Sequence, residues 1–105
     1  MTEPANKTKY RNRNIAGIYC IYNKRTDKYY VGRSNNIFSR WNNHLAELLY
    51  KKHHNKLMQA DFDSGHYTDF QFNIIKIMSA KKLIEAEKIF IENYKQSGKS
   101  MYNLV

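Results

Sequence analysis

Gly17-Ile18-Tyr19-Cys20-Ile21-Tyr22 and Lys28-Tyr29-Tyr30-Val31-Gly32 are two short β-prone runs joined by the polar segment Asn23-Lys24-Arg25-Thr26-Asp27. Tyrosine, valine and isoleucine suit a pleated surface, and a polar link of this length suits a tight antiparallel connection. The pattern predicts a hairpin with strands over residues 15–22 and 28–32. Such a hairpin sets the phenols of Tyr19 and Tyr30 side by side at one edge of a small sheet.

Beyond the hairpin, Arg33-Ser34-Asn35-Asn36 reads as a loop, with Asn35 or Asn36 placed to cap a helix over residues 37–51. Ile37, Trp41, Leu45, Leu48 and Leu49 recur at helical spacing and form its core-facing stripe. A shorter helix is expected over residues 55–63, stopping at Gly65. Phe70, Phe72, Ile74, Ile75 and Ile77 read as a third strand buried on both faces. Ser79 is positioned to cap a last helix over residues 80–96, with Gly98 just past its end. This order predicts an α+β domain: a small three-stranded antiparallel sheet flanked by helices.

A chain of 105 residues has room for one core and one domain. Residues 1–14 carry Lys7, Lys9, Arg11 and Arg13 with almost no apolar content, so they are expected to form a basic flexible arm, leaving residues 15–105 as the folded domain. Cys20 is the only cysteine, which excludes an internal disulfide and a cysteine-based zinc site. No run approaches the roughly 18 apolar residues of a membrane span, and the polar N-terminus lacks a signal-peptide core. The expectation is a soluble protein without a membrane partner, in the cytoplasm of a bacterial or phage-infected cell. Eighteen Lys and Arg against nine Asp and Glu leave a formal charge of +9. That field suits a polyanion such as nucleic acid.

One residue of the last helix is out of place. Glu87 falls in the middle of the apolar stripe made by Leu83, Phe90 and Tyr94. A carboxylate turned toward a core is costly unless it is paired or bound to a cation. It is read either as an ion pair with a Lys or Arg, or as an oxygen ligand for Mg²⁺. In the first helix Arg40, His44 and Glu47 share a stripe beside Trp41. They form either a surface network or one wall of a cleft. In a cleft, the planar fork of Arg40 would grip a phosphate oxygen and His44 would accept or orient a proton.

The two words Gly17-Ile18-Tyr19 and Tyr30-Val31-Gly32, followed in order by Arg40-Trp41, His44, Glu87 and Tyr102-Asn103, resemble the GIY-YIG nuclease family, and in particular the catalytic domains of phage homing endonucleases. The resemblance runs from Gly17 to Asn103, with valine where the second word often has isoleucine. It implies an enzyme that hydrolyses a phosphodiester in DNA with one divalent ion, Mg²⁺ or Mn²⁺. By the same resemblance Glu87 holds the ion, Arg40 binds the phosphate, and Tyr30 and His44 orient the attacking water. Tyr19 takes the water's proton, its pKa drawn down by Arg40 and the metal, with His44 as the alternative base. Asn103 closes the site, and either His53 or His54 fills a further histidine position, spacing favouring His53. Gly17 marks a place where strand and ligand approach too closely for a β-carbon.

Candidate phosphate contacts are Lys7, Lys9, Arg11, Arg13, Arg33, His53 and His54. No zinc finger or helix-turn-helix follows Asn103, so target choice falls to the arm and surface loops, to a partner protein, or to a second copy in a homodimer. Two other classes compete with the enzyme: a catalytically silent nucleic-acid-binding module on the same fold, and a structural basic protein.

Overall fold

The computed structural model describes residues 15–103; the arm residues Lys7, Lys9, Arg11 and Arg13 lie outside them. Strands β1 (Gly17–Asn23) and β2 (Lys28–Ser34) form the expected antiparallel hairpin, with Tyr19 opposite Gly32 and Ile21 opposite Tyr30. Asn23 organises the turn. Its backbone carbonyl accepts the Asp27 N–H at 2.8 Å and its Oδ1 accepts the Arg25 N–H at 2.9 Å. Asp27 takes the left-handed conformation (φ 57°) that Asp tolerates in such turns.

Helix α1 (Ile37–Leu49) starts on Asn36, whose side chain accepts the Ser39 N–H, and α2 (Lys56–Ser64) starts on Asn55, whose side chain accepts the Met58 N–H. After β3 (Phe70–Ile77), a 3-10 turn at Ala80–Lys82 capped by Ser79 leads into α3 (Leu83–Gln96). Gly98 follows with φ +85°, a left-handed exit from the helix. No helix among the described residues is long and apolar enough to cross a membrane.

The sheet departs from the expected three antiparallel strands. It has four, in the order β3-β1-β2-β4, and it is mixed. The added strand β4 (Ser100–Met101) pairs parallel to β2, Lys28 with Ser100 and Tyr29 with Met101. Two residues carry no periodicity to read; tertiary contacts create the strand. The Tyr102 N–H donates to the Tyr29 carbonyl at 2.6 Å, and the Lys99 ammonium lies 5.5 Å from the Tyr29 ring centroid.

The strand buried on both faces is β1, not β3. β3 sits at the sheet edge, no residue in it is fully buried, and Ile77 is well exposed. The adjacent isoleucines of β3 have a local cause: the pairing shifts between Ile18 and Tyr19, leaving Ile75 without a partner in β1. Ile74 then packs with Tyr19 and Ile21 on the α1–α2 side, while Ile75 packs with Ile18, Val31 and Leu83 on the α3 side. The inward stripe of α1 is also rotated from the expected one. Ile37, His44 and Leu48 are buried, whereas Leu45 and Leu49 are exposed. A histidine therefore occupies the core-facing position where the pattern favoured leucine.

Candidate active site

Tyr19, Tyr30, Arg33, Ser34, Asn35, Arg40, Leu83 and Glu87 line one open cavity of about 360 Å³ at the end of the hairpin. β1 supplies Tyr19, β2 supplies Tyr30 and Arg33, α1 supplies Arg40, and α3 supplies Glu87. Four elements on both sides of the sheet therefore meet at one polar pocket. Gly32 makes that convergence sterically possible. A β-carbon on it would lie 2.5 Å from Tyr19 Cζ and Oη, so the phenol crosses β2 through the space a side chain would fill. Gly17 has a different reason: its β-carbon would collide with the Lys76 carbonyl of β3. The close approach there is strand to strand, which corrects the expectation of a ligand.

Tyr19 is buried, and its Oη lies 2.7 Å from His44 Nε2. The Tyr30 ring meets the same imidazole edge-on, with centroids 5.4 Å apart, and is 6.5 Å from the Tyr19 ring. Burial raises the Tyr19 pKa, helped by Tyr30, and the Arg40 guanidinium only partly opposes it. Arg40 alone does not bring the pKa down: against this burial Tyr19 is held as a neutral phenol. Burial raises Tyr30 as well. It lowers His44 to about 3 and His53 to about 4, so both imidazoles are neutral at ordinary pH.

Glu87 carries the ion pair that its position demanded. Arg33 Nη1 donates to Glu87 Oε1 at 2.7 Å, and the carboxylate side chain is only 20% exposed. Glu87 is thus ion-paired and lines the cavity at the same time. Asn103 uses both ends of its amide on one residue. Its Oδ1 accepts the Val31 N–H at 2.9 Å and its Nδ2 donates to the Val31 carbonyl at 2.8 Å. It pins β2 between Tyr30 and Gly32, beside a second cavity of about 350 Å³ lined in part by Tyr30, Arg33, His54 and Glu87.

The histidine pair separates into two roles. His54 is exposed and lines that second cavity, whereas His53 is 1% exposed and cannot reach a polyanion. Its place is internal: His53 Nε2 is 2.7 Å from His44 Nδ1, and the rings are stacked at 5.0 Å. Residues with no functional signal in the sequence hold it there. The His53 N–H donates to Gln59 Oε1, the Asn55 N–H donates to His53 Nδ1 at 3.0 Å, and Asn55 Nδ2 donates to the Tyr102 carbonyl. Only the short spacing from His53 to Asn55 and Gln59 hinted at a local network.

His44, Glu47 and His53 present ligand atoms within 4.8 Å of one another, close enough for a metal ion. The hydrogen bond between the two imidazoles puts a proton on one of the facing nitrogens and engages the lone pair of the other, so neither is open to such an ion. Among cavity-lining residues, Glu87 is the one carboxylate, and it suits a hard divalent cation that takes its other oxygens from water and phosphate.

Residues 15–103 match the family model described as the GIY-YIG catalytic domain. The chain is also similar to two solved structures. One is the catalytic domain of the homing endonuclease I-TevI, at 26% identity over 86% of this chain and 98% of that one, with a TM-score of 0.74. The other is the catalytic domain of the intron endonuclease I-TevI in a glutamate-to-alanine mutant, at 26% identity over 87% and 94%, with a TM-score of 0.75. No curated protein matches.

Proposed function

We propose, from the premise that this chain belongs to the GIY-YIG family and is an endonuclease, that it hydrolyses a DNA phosphodiester at one centre with a single divalent ion, Mg²⁺ or Mn²⁺, at Glu87. One observation carries the reading: Tyr19, Tyr30, Arg40 and Glu87 converge on a single polar cavity from three separate parts of the chain. A mere binding module has no need for two phenols, a guanidinium and a carboxylate to meet in one pocket.

When bound, the ion supplies Lewis-acid charge at the phosphate. The chain's own residues do the rest. Arg40 grips a non-bridging oxygen and offsets the charge added in the pentacovalent transition state. Tyr19, once its own proton has left, accepts the proton of the attacking water; Arg40 favours that loss and burial opposes it. Tyr30 orients the water, His44 holds the Tyr19 oxygen from beneath at 2.7 Å, and Asn103 keeps β2 in place under Tyr30. Arg33 and His54 at the rim, with Lys7, Lys9, Arg11 and Arg13, are the proposed phosphate contacts. Target choice rests with the basic arm and surface loops, with a partner protein or with a second copy, and the reading places the protein in the cytoplasm of a bacterial or phage-infected cell.

Supercoiled plasmid tests this directly. Relaxed circles should accumulate with Mg²⁺ or Mn²⁺ and fail to appear in EDTA. Binding to the plasmid without nicking in either metal would return the silent binding module.

A further inference from the structure

Three hydrogen bonds run inward from the cleft in series. They join Tyr19 Oη to His44 Nε2 at 2.7 Å, His44 Nδ1 to His53 Nε2 at 2.7 Å, and His53 Nδ1 to the backbone nitrogen of Asn55 at 3.0 Å. The innermost bond has a fixed direction, because an amide nitrogen can only donate. His53 Nδ1 is therefore bare, and the single proton of the neutral ring sits on Nε2. That proton points at His44 Nδ1, which must accept. The proton of His44 then sits on Nε2 and points at the Tyr19 oxygen.

The alternatives fail locally. A doubly protonated His53 would set Nδ1–H against the Asn55 N–H, and a doubly protonated His44 would set Nδ1–H against His53 Nε2–H. Glu47 reinforces the direction: its Oε1 is buried without a hydrogen-bond partner among the described residues and lies 3.9 Å from His53 Nε2, favouring a proton on that side. Burial lowers both imidazole pKa values to about 3 and 4, in keeping with neutral rings. The anchor is firm, since Asn55 caps α2 through Met58 and donates to the Tyr102 carbonyl, and Gln59 accepts the His53 N–H.

We propose that His53 is a positioning residue that locks His44 as an N–H donor to the Tyr19 oxygen, so that His44 cannot take a proton from Tyr19 or from the attacking water. This rests on the endonuclease reading of the cleft and decides between its two candidate bases. The Tyr19 proton leaves outward, into the cavity, because the inward direction ends at an amide N–H. His44 joins Arg40 as a second donor to the phenolate that results. The same lock withholds the His53 Nε2 lone pair from any metal ion in the His44–Glu47–His53 cluster.

The test is the long-range proton–nitrogen NMR spectrum of the whole chain with ¹⁵N-labelled histidine. His44 and His53 should both be neutral Nε2–H tautomers, with bare Nδ1. An Nδ1–H tautomer at either residue overturns the proposal. In His53→Phe, His44 should lose its single tautomer and kcat should fall about tenfold or more at unchanged KM. His53→Gln, whose amide can restore the donor, should recover much of that loss; nicking by His53→Phe at the parental kcat also overturns the proposal. If His53→Phe fails to fold, the spectrum of the parent still decides. Correct tautomers in a protein that never nicks DNA would sink the endonuclease reading alone, whereas nicking by a protein with Nδ1–H on His44 would sink the lock alone.

Discussion

Arg33 Nη1 sits 2.7 Å from Glu87 Oε1, so the carboxylate proposed to hold a divalent ion already has a cation on it. The guanidinium is 42% exposed, which screens the pair, and exposed pairs contribute roughly 0.2–1 kcal/mol. A metal that takes Glu87 must displace or repel this charge. Arg33→Gln should therefore bind Mn²⁺ about two- to fivefold more tightly in a titration without DNA. Equal or weaker binding would show that the pair does not compete with the ion.

Glu87→Gln keeps the shape of the side chain and removes its charge. Cleavage should fall by at least about 100-fold, while DNA affinity measured by gel shift stays within about threefold of the parent. Cutting at the parental rate would remove Glu87 from the metal site.

Gly32→Ala and Gly17→Ala should fail in different ways. The first places a β-carbon on the Tyr19 phenol, so the ring must move. A shift near 1 Å in a reacting group can cost about 100-fold in kcat, a loss well beyond that expected from the overpacking of a buried ring, which lowers stability by about 1–3 kcal/mol. The second pushes a β-carbon into the Lys76 carbonyl, against backbone that cannot rotate away. It should lower stability by about 1–3 kcal/mol in urea unfolding. Reversed effects would mean that these glycines serve other needs.

His44 and His53 give stability a defined pH dependence. Both have folded-state pKa values lowered by burial, to about 3 and 4, from an ordinary 6.5. As pH falls through 6.5 the unfolded chain binds protons that the folded one refuses, so stability is lost on acidification from about pH 6.5 to about 4 for His53 and about 3 for His44. The loss should be on the order of a few kcal/mol, read as a falling Tm. His53→Gln should flatten the curve; an unchanged slope in that variant would assign the acid sensitivity elsewhere.

Removing residues 1–14 should weaken DNA binding and flatten its dependence on salt, because four basic residues release counterions on meeting phosphates. The metal requirement should not change. An unaltered salt slope would make the arm a spectator.

Much of this protein was legible in one dimension because its signals are local. The hairpin followed from β-prone runs around a polar turn, the caps from the Asn35-Asn36 pair and Ser79, and the odd position of Glu87 from helical spacing alone, whereas Asn55, expected within its helix, is the cap. Of the residues that the family resemblance grouped, Tyr19, Tyr30, Arg40 and Glu87 line one cavity, whereas His44 is buried behind it and Asn103 borders its neighbour. Tertiary structure decided what depends on partners distant in sequence. β4 exists only because the chain after α3 docks on β2, and the burial of β1 rather than β3 depends on which strand takes the centre of the sheet. Arg33 reaches Glu87 across 54 positions, and the pKa of Tyr19 rises because the fold buries it more strongly than Arg40 compensates. Spacing can place a phenol and a guanidinium near one another, but it cannot say how much water remains between them. Desolvation is a property of the packed interior, and here it sets the protonation of Tyr19, His44 and His53.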